Sequence, residues 1–324
     1  MLGEFDLIER FLKPARVGAA HSGVALGAGD DATVLIPEPG HQLVVSVDTS
    51  LVDVHFPFDA PAEAIGHRAL AVALSDLAAM GARSRWCLMA LSQRSDAFAD
   101  EPAATTWYAG FARGFHALCE TSDTVLVGGD VTAGALGISV TVMGETPSGR
   151  ALTRAGARPG DVIAVTGALG GGAGGLSLWQ RGERDMTHPL VKRYLLPTPR
   201  LEAGLRLRGL ASAAIDVSDG LLADLGHLRR ASGVGAELDQ AALPPACGLL
   251  EALGEREALA AMLGGGDDYE LLVTLPPNNV AKARQALAEC GVALTVIGQC
   301  SERPGVRGVE AARQGWQHFQ GGRP

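Results

Sequence analysis

A set of aspartates stands where a carboxylate is hard to keep. Asp30 and Asp31 lie in "GAGDDA", Asp48 in "VVSVDTS", Asp76 in "ALSDLAAMGA" and Asp130 in "LVGGDVT". Asp216 and Asp219 follow in "IDVSDG", and Asp267 and Asp268 in "GGGDDYE". An ionised carboxylate removed from water is costly unless a cation or hydrogen-bond donors answer it. Singly, each has a plain structural reading, because aspartate before glycine forms turns and aspartate at a helix start caps it. Asp76 resists that reading most. Its neighbours "ALAVALSDLAAM" are apolar or small nearly all round, as in a buried helix, and the nearby cations are Arg68, two turns earlier, and Arg83 beyond the helix end. Asp48, between strand residues, raises the same difficulty. So does Asp216, which shares the apolar run "AAIDVSDGLLADL" with Asp219 and Asp224.

Many carboxylates with few local cations point to hard divalent metal ions. Mg²⁺ takes oxygen ligands, keeps several waters, and is usually held by one or two carboxylates together with substrate phosphates. Several such ions would let an acidic chain hold a polyphosphate that its own charge repels. A calcium loop fits less well, since no D-x-D-x-D-G run with a closing glutamate occurs. On the phosphate side, "TGALGGGAGGL" (166–176) follows an apolar strand and opens a helix, so its N–H groups are expected to face an anion. It contains G-x-G-x-x-G at Gly170, Gly172 and Gly175 but lacks the Lys-Ser/Thr of a Walker loop and a clear acidic residue about 20 positions on. Arg154 in "ALTRAGARPGD" is a candidate phosphate contact or a solvated loop arginine, and His55 and Trp316 are candidates to pack on a ring or to serve structure.

The composition narrows the class. With 27 basic and 36 acidic residues the formal charge is −9, which argues against a broad nucleic-acid or anionic-membrane surface. The 324 residues suffice for two ordinary domains, and 47% hydrophobic against 19% charged residues describes a well-packed globular chain. Five scattered cysteines without a C-x-x-C pair read as free thiols in a reducing cytoplasm. The acidic opening "MLGEFDLIERFLKP" lacks the apolar core of a signal peptide. The uncharged window Val162–Trp179 is glycine-rich and reads as strand, loop and helix start, not as a membrane span.

These residues need elements to hold them. Residues 5–13 are expected to form a short amphipathic helix and 41–56 a β segment. A helix is expected over 61–80, with Asp59 as cap and Gly81 as stop. "RWCLMALS" reads as a strand, 101–120 as a helix, and "TVLVGGD" and "LGISVTVMGE" as strands. After the turn-rich segment 146–161 come a strand at 161–166, a glycine turn and a helix, and a long helix from about Pro199. "YELLVTLP" and "ALTVIGQ" read as strands around a helix at 278–290, and "GWQHFQGGRP" as irregular. Alternating strands and helices in both halves predict an α/β or α+β protein with a domain border near residue 150. "GAGDDATVLI" (27–36) and "GGGDDYELLV" (264–273) echo each other across that border, by chance, as a related pair of half-domains, or by a shared ligand need.

Together, "GAGDDA", "SVDTSLVDVHF", "HRALAVALSDLAAMGA", "LVGGDVT", "ALTRAGARPGD", "IDVSDGLLADL", "GGGDDYELLVT" and "GWQHF" resemble the thiamine-monophosphate kinase family, in its order and from about Phe5 to Phe319. The resemblance implies an aminoimidazole-ribonucleotide-synthetase-like fold. An N-terminal domain, 1–149, would bind ATP and Mg²⁺ and contribute strands to a barrel across a homodimer, beside a C-terminal α/β domain, 150–324. It also implies a Mg²⁺-dependent reaction of ATP with thiamine monophosphate. Carried onto matching positions, Asp30, Ser46, Asp48, Asp76, Asp130, Asp216 and Asp219 would bind Mg²⁺ directly or through water. Tyr108, Gly129, Asp130, Arg154 and Ser218 would contact ATP, and His55, Glu270 and Trp316 the thiamine substrate. Three departures stand out: Val47 where the family often has threonine, Asp267 for a common glutamate, and an unusually glycine-rich 170–175 loop. A selenophosphate synthetase would want an early reactive cysteine, and the first here is Cys87. A ring-closing purine synthetase, a nicotinamide dehydrogenase and a non-catalytic metal-stabilised binder are the other readings.

Overall fold

The computed structural model describes residues 7–12, 23–94 and 96–309. The chain divides into two compact units. The first runs to Leu77 and resumes over Ala82–Gly149; the second takes Ala78–Gly81 and continues from Arg150.

In the first unit, β1 (Val24–Leu26) and β2 (Val34–Leu35) pair antiparallel. Strands β3 (His41–Leu51), β4 (Arg83–Gln93), β5 (Val125–Ala133) and β6 (Gly137–Pro147) form a sheet in the order β3-β6-β4-β5. β4 and β5 run parallel and therefore need a crossover, which α2 (Glu101–Thr121) supplies. Asp100 caps that helix by accepting the Ala103 N–H at 2.8 Å, with Pro102 in the first turn. α1 (Ala62–Ala79) joins β3 to β4, and Ile65, Leu70, Leu74 and Leu77 on different sides of it are all buried, as its apolar sequence requires.

β3 reverses the usual strand pattern. Leu43, Val45 and Val47 point outward and are 50%, 59% and 61% exposed, whereas Val44, Ser46 and Asp48 face inward and are half-buried. Because side chains alternate between faces, Val47 lies on the side opposite Ser46 and Asp48. Its side chain therefore cannot share a ligand with them, and the missing threonine hydroxyl costs that face nothing.

The second unit holds β7 (Val162–Thr166), β8 (Ala213–Val217), β9 (Gly235–Leu238), β10 (Glu270–Leu275), β11 (Leu294–Ser301) and β12 (Val306–Arg307), in the order β12-β9-β11-β7-β10-β8. All neighbours are antiparallel except β12 and β9, which makes this sheet α+β in type. Strands β7, β8 and β10 are buried on both faces. Ile163, Val165, Ile215, Val217 and Leu272 enter one core, and Ala164, Ala214, Leu271 and Val273 enter the other. That explains why these strands read as unbroken apolar runs.

Helices α3 (Gly171–Gln180), α4 (Pro189–Leu195), α5 (Leu201–Leu207), α6 (Leu221–Ser232), α7 (Leu249–Leu253), α8 (Glu255–Gly264) and α9 (Val280–Ala288) cover the sheet. The long helix expected from about Pro199 is not found. α5 has 7 residues, and Gly209 at φ 76° turns the chain soon after it. The amphipathic helix expected over 5–13 is, within the described residues, a five-residue π-helical turn, Ile8–Leu12.

Candidate active site

In the first unit the chain turns sharply between β1 and β2, and there Asp30 Oδ1 accepts the adjacent Asp31 N–H at 2.9 Å. Asp30, Asp31, Thr33, Gly129 and Asp130 share the wall of one cavity of about 940 Å³. β5 delivers the last two. Gly129 sits at φ 154°, where an added Cβ would lie 1.9 Å from the Met89 carbonyl oxygen, so the parallel β4–β5 contact itself demands glycine. Asp130, its neighbour, is exposed. On the inner face of β3, Ser46 donates its hydroxyl to Asp76 Oδ2, and Asp48 follows on the same face. Thus Asp76 is answered by a hydroxyl, and Arg83 bonds Asp123 instead, at 3.1 Å.

His55 is held by its own turn. Its Nδ1 accepts the Leu51 N–H at 3.0 Å, and its carbonyl accepts Nε of buried Arg68 at 3.0 Å. Tyr108 is buried on α2 among Phe11, Phe98 and Trp107, with ring centroids 5.2 to 6.2 Å away, and burial pushes its hydroxyl pKa up. It does not line the cavity that holds Asp30 and Asp130.

In the second unit, β8 carries buried Asp216, and the turn Ser218-Asp219-Gly220 links it to α6. Asp224, in the first turn of α6, is 3% exposed, and its Oδ2 accepts the N–H groups of Ser218, Asp219 and Gly220, each at 3.1 Å. Burial and the charges of Asp216 and Asp219 push the Asp224 carboxyl up to about 8, against the pull of those N–H bonds. The structure thus brings Asp216, Ser218, Asp219 and Asp224 together. Arg154 and Asp219 both act on the largely exposed His227 ring, whose pKa is lowered by partial desolvation, Arg230 and Arg154 against the opposing pull of Asp219.

The glycine loop has a different occupant from the one its sequence suggests. Asp268 is buried and accepts the N–H of Gly170 at 2.7 Å and of Gly172 at 3.1 Å. A carboxylate of the chain itself fills this helix N-terminus, so these amides do not face a free phosphate. Burial raises Asp268 to about 7 despite the two N–H bonds and the Arg193 charge. The loop's glycines serve close packing: a Cβ on Gly172 would meet the Asp267 backbone at 2.4 Å, and one on Gly175 the Leu190 carbonyl at 2.1 Å. Asp267 and Tyr269 adopt φ 69° and 51°, a costly conformation for residues with a Cβ, and the Tyr269 hydroxyl donates to Asp267 Oδ1 at 2.8 Å.

Glu270 is fully buried and heavily engaged. It accepts Nη2 of Arg193 at 2.8 Å, Nε and Nη2 of Arg200 at 2.7 and 2.6 Å, and the Thr166 hydroxyl at 2.8 Å. Burial works to raise its pKa, but the two guanidinium groups hold it below the usual range. Asp268 belongs to the acidic set read from the sequence and is spent on the glycine loop, whereas Asp224, Arg193 and Arg200 are not among the candidate site residues. Asp224 and Asp268 were visible as acids in apolar or glycine-rich runs, whereas the arginines had no local signal. Trp316 lies outside the described residues.

The donor sets suit a hard cation in small groups. Among the described residues no three His, Cys, Asp or Glu side chains gather tightly enough to hold a metal ion by themselves. Asp30 and Asp130 line one cavity, and Asp216 and Asp219 both lie close enough to Asp224 to raise its pKa. That matches the one or two carboxylates, completed by water and phosphate, that Mg²⁺ prefers.

The N-terminal domain model of AIR synthase related proteins matches residues 29–146, and the C-terminal domain model matches 158–310. The thiamine-monophosphate kinase of Salmonella typhimurium is 42% identical over 318 residues, covering 97% of this chain and 94% of that protein. The crystal structure of the thiamine-monophosphate kinase from Stenotrophomonas maltophilia K279a is 44% identical with a TM-score of 0.82, covering 89% of this chain and 92% of that one. AaThiL complexed with AMPPCP and TMP is 31% identical with a TM-score of 0.76, covering 98% and 97%. Escherichia coli HypE, a hydrogenase maturation protein, shares the fold at 23% identity and a TM-score of 0.70, covering 91% of this chain and 93% of that one. By identity and coverage, the chain belongs to the thiamine-monophosphate kinase family.

Proposed function

We propose that this chain uses ATP to phosphorylate thiamine monophosphate, yielding ADP and thiamine diphosphate by direct in-line transfer of the γ-phosphoryl group. The observation that carries the reading is the 42% identity across 94% of a thiamine-monophosphate kinase. A relative complexed with AMPPCP, an ATP analogue, and TMP supports both substrates.

Phosphoryl transfer asks a protein mainly for positioning and charge neutralisation. The acceptor phosphate is already ionised near neutral pH, so no strong general base is required. Bound Mg²⁺ would neutralise phosphate charge and relieve the repulsion of two anions. In the first unit the proposed ligands are Asp30, Ser46, Asp48, Asp76 and Asp130, and in the second Asp216 and Asp219. Arg154 and Ser218 are proposed to contact ATP, as is the Gly129 backbone beside Asp130. Tyr108 would have to act from within its aromatic cluster. His55 and Trp316 are proposed for the thiamine substrate. Glu270 would reach it only while keeping its two arginines.

The finer assignments follow from the same residues. Residues 1–149 are proposed to bind ATP and Mg²⁺ and to dimerise, with 150–324 as the second domain. A homodimer is supported by Leu43, Val45 and Val47, an exposed apolar row on an edge strand, which a second copy could cover as part of a barrel. Free cysteines throughout support a reducing, cytoplasmic location. No helix of the described residues is long and apolar enough to cross a membrane.

The test is release of ADP with and without thiamine monophosphate, with thiamine diphosphate identified chromatographically. The expected result is ADP formation that requires the acceptor. ADP release indifferent to it would overturn the reading.

A further inference from the structure

We propose that Asp224 is a positioning residue for the transfer, its carboxylate oxygen fixing the shape of the Ser218–Gly220 turn. This rests on the reading of Ser218 and Asp219 as nucleotide and metal groups, and extends it to a side chain that need touch neither ligand.

Three successive amides, from Ser218, Asp219 and Gly220, converge on the single atom Asp224 Oδ2, each at 3.1 Å. Such converging N–H groups form a concavity that ordinarily takes an anion. Here the acceptor is built in. Asp224 is itself rigidly placed, because its own N–H donates to the Gly220 carbonyl at 3.0 Å and starts α6. The other side of the turn is tied as well: the Ser218 carbonyl accepts the Asp267 N–H at 2.9 Å. Gly220, at φ 115°, has the Gly264 backbone 2.9 Å from where a Cβ would stand, so the turn cannot slide that way. At 3% exposure, Asp224 leaves little room for a water to replace it. Removing its oxygen therefore strands three amides, and the turn must re-form around them with Ser218 and Asp219 displaced.

What this role needs is an acceptor atom at that point. An asparagine oxygen supplies one in the same place, and alanine does not. The experiment compares wild type, Asp224→Asn and Asp224→Ala as full chains, well below their melting temperatures. It reads kcat/KM, the half-saturating Mg²⁺ concentration and amide hydrogen exchange at residues 218–220. Since a displacement near 1 Å can cost about 100-fold, Asp224→Ala is expected to lose at least about 30-fold in kcat/KM and to need several-fold more Mg²⁺. Its 218–220 amides should lose protection. Asp224→Asn should stay within about 3-fold of wild type and keep that protection, since it preserves the geometry. If Asp224→Ala does not fold, Asp224→Ser, too short to reach all three amides, takes its place with the same expectation.

Normal kcat/KM and Mg²⁺ dependence in the alanine or serine variant, with only a lower melting temperature, would reduce Asp224 to a structural residue. Asparagine as damaging as alanine would mean that Asp224 acts through its charge, and would also overturn the proposal. Should wild type show no acceptor-dependent ADP formation, the proposed function fails; the exchange data still decide whether Asp224 holds the turn.

Discussion

The turns at 27–31 and 264–268 have nearly the same residues, Gly-Ala-Gly-Asp-Asp and Gly-Gly-Gly-Asp-Asp, and each leads into a strand, β2 and β10. Their aspartates meet opposite fates. In the first, Asp30 is exposed, bonds the adjacent amide and faces a cavity shared with Asp130. In the second, Asp268 is buried and taken up by Gly170 and Gly172, while Asp267 is held at positive φ against Tyr269. A carboxylate answered from within the chain holds structure together; one left open at a cavity wall is free to hold a ligand. The same motif thus does two jobs, and mutations should separate them.

The largest effect is expected on the open side. Excess chelator should stop turnover and added Mg²⁺ restore it. Undiminished activity in metal-free buffer would remove the metal from the mechanism. Asp130→Asn, on the cavity wall it shares with Asp30, should lower kcat/KM by about 100-fold or more, the scale of losing one pre-organised charge-stabilising group, with the melting temperature unchanged. Steady-state kinetics beside a thermal melt reads both, and wild-type rates would refute the site assignment.

On the closed side the first cost should be stability. Glu270→Ala leaves two guanidinium groups facing a vacated site and should destabilise by about 3 kcal/mol, read as a lower urea midpoint. Asp268→Ala strands two amides and should cost about 2 kcal/mol in the same titration. A midpoint equal to wild type in either variant would erase the contrast between the turns.

The smallest effect is a pH dependence. Unfolded, Asp268 releases its proton near 3.9. Folded, it holds the proton up to about 7. Between those values the folded state binds more protons, so Asp268 lowers stability as pH rises through that window and contributes no further change above it. Asp268→Asn cannot ionise, so its stability relative to wild type should climb from pH 4 to about 7 and then level. A difference flat across that range would show that Asp268 is ionised throughout. Glu270 works in the other sense. Its depressed pKa gives stability above the unfolded value and loses it as pH falls through the folded one, so Glu270→Ala should narrow the gap to wild type in acid.

Much of the frame was legible before any coordinates. The apolar α1 around Asp76, the helix α2 and the strands from β3 to β6 follow from local patterning, although β3 ends at Leu51 and not near residue 56. Two readings failed for different reasons. The helix expected from Pro199 passed over the local stop Gly209, and the glycine loop read as an anion cradle because nothing in either segment shows that it pairs with Asp268, about a hundred residues later. The short elements α4, α7, β9 and β12 gave too few turns or alternations to register. Asp224 was visible as an acid in an apolar run, but nothing local showed three amides aimed at it.

By itself, the order of residues determined the family, the acidic character of the site and most of the regular elements, since these depend on composition and on patterns a few residues long. Only the tertiary structure decided which acids are open and which are spent. For Asp76, Asp268 and Glu270 the hydrogen-bond partners come from segments 30 to 104 residues away, so their availability depends on which distant N–H, hydroxyl or guanidinium reaches them first.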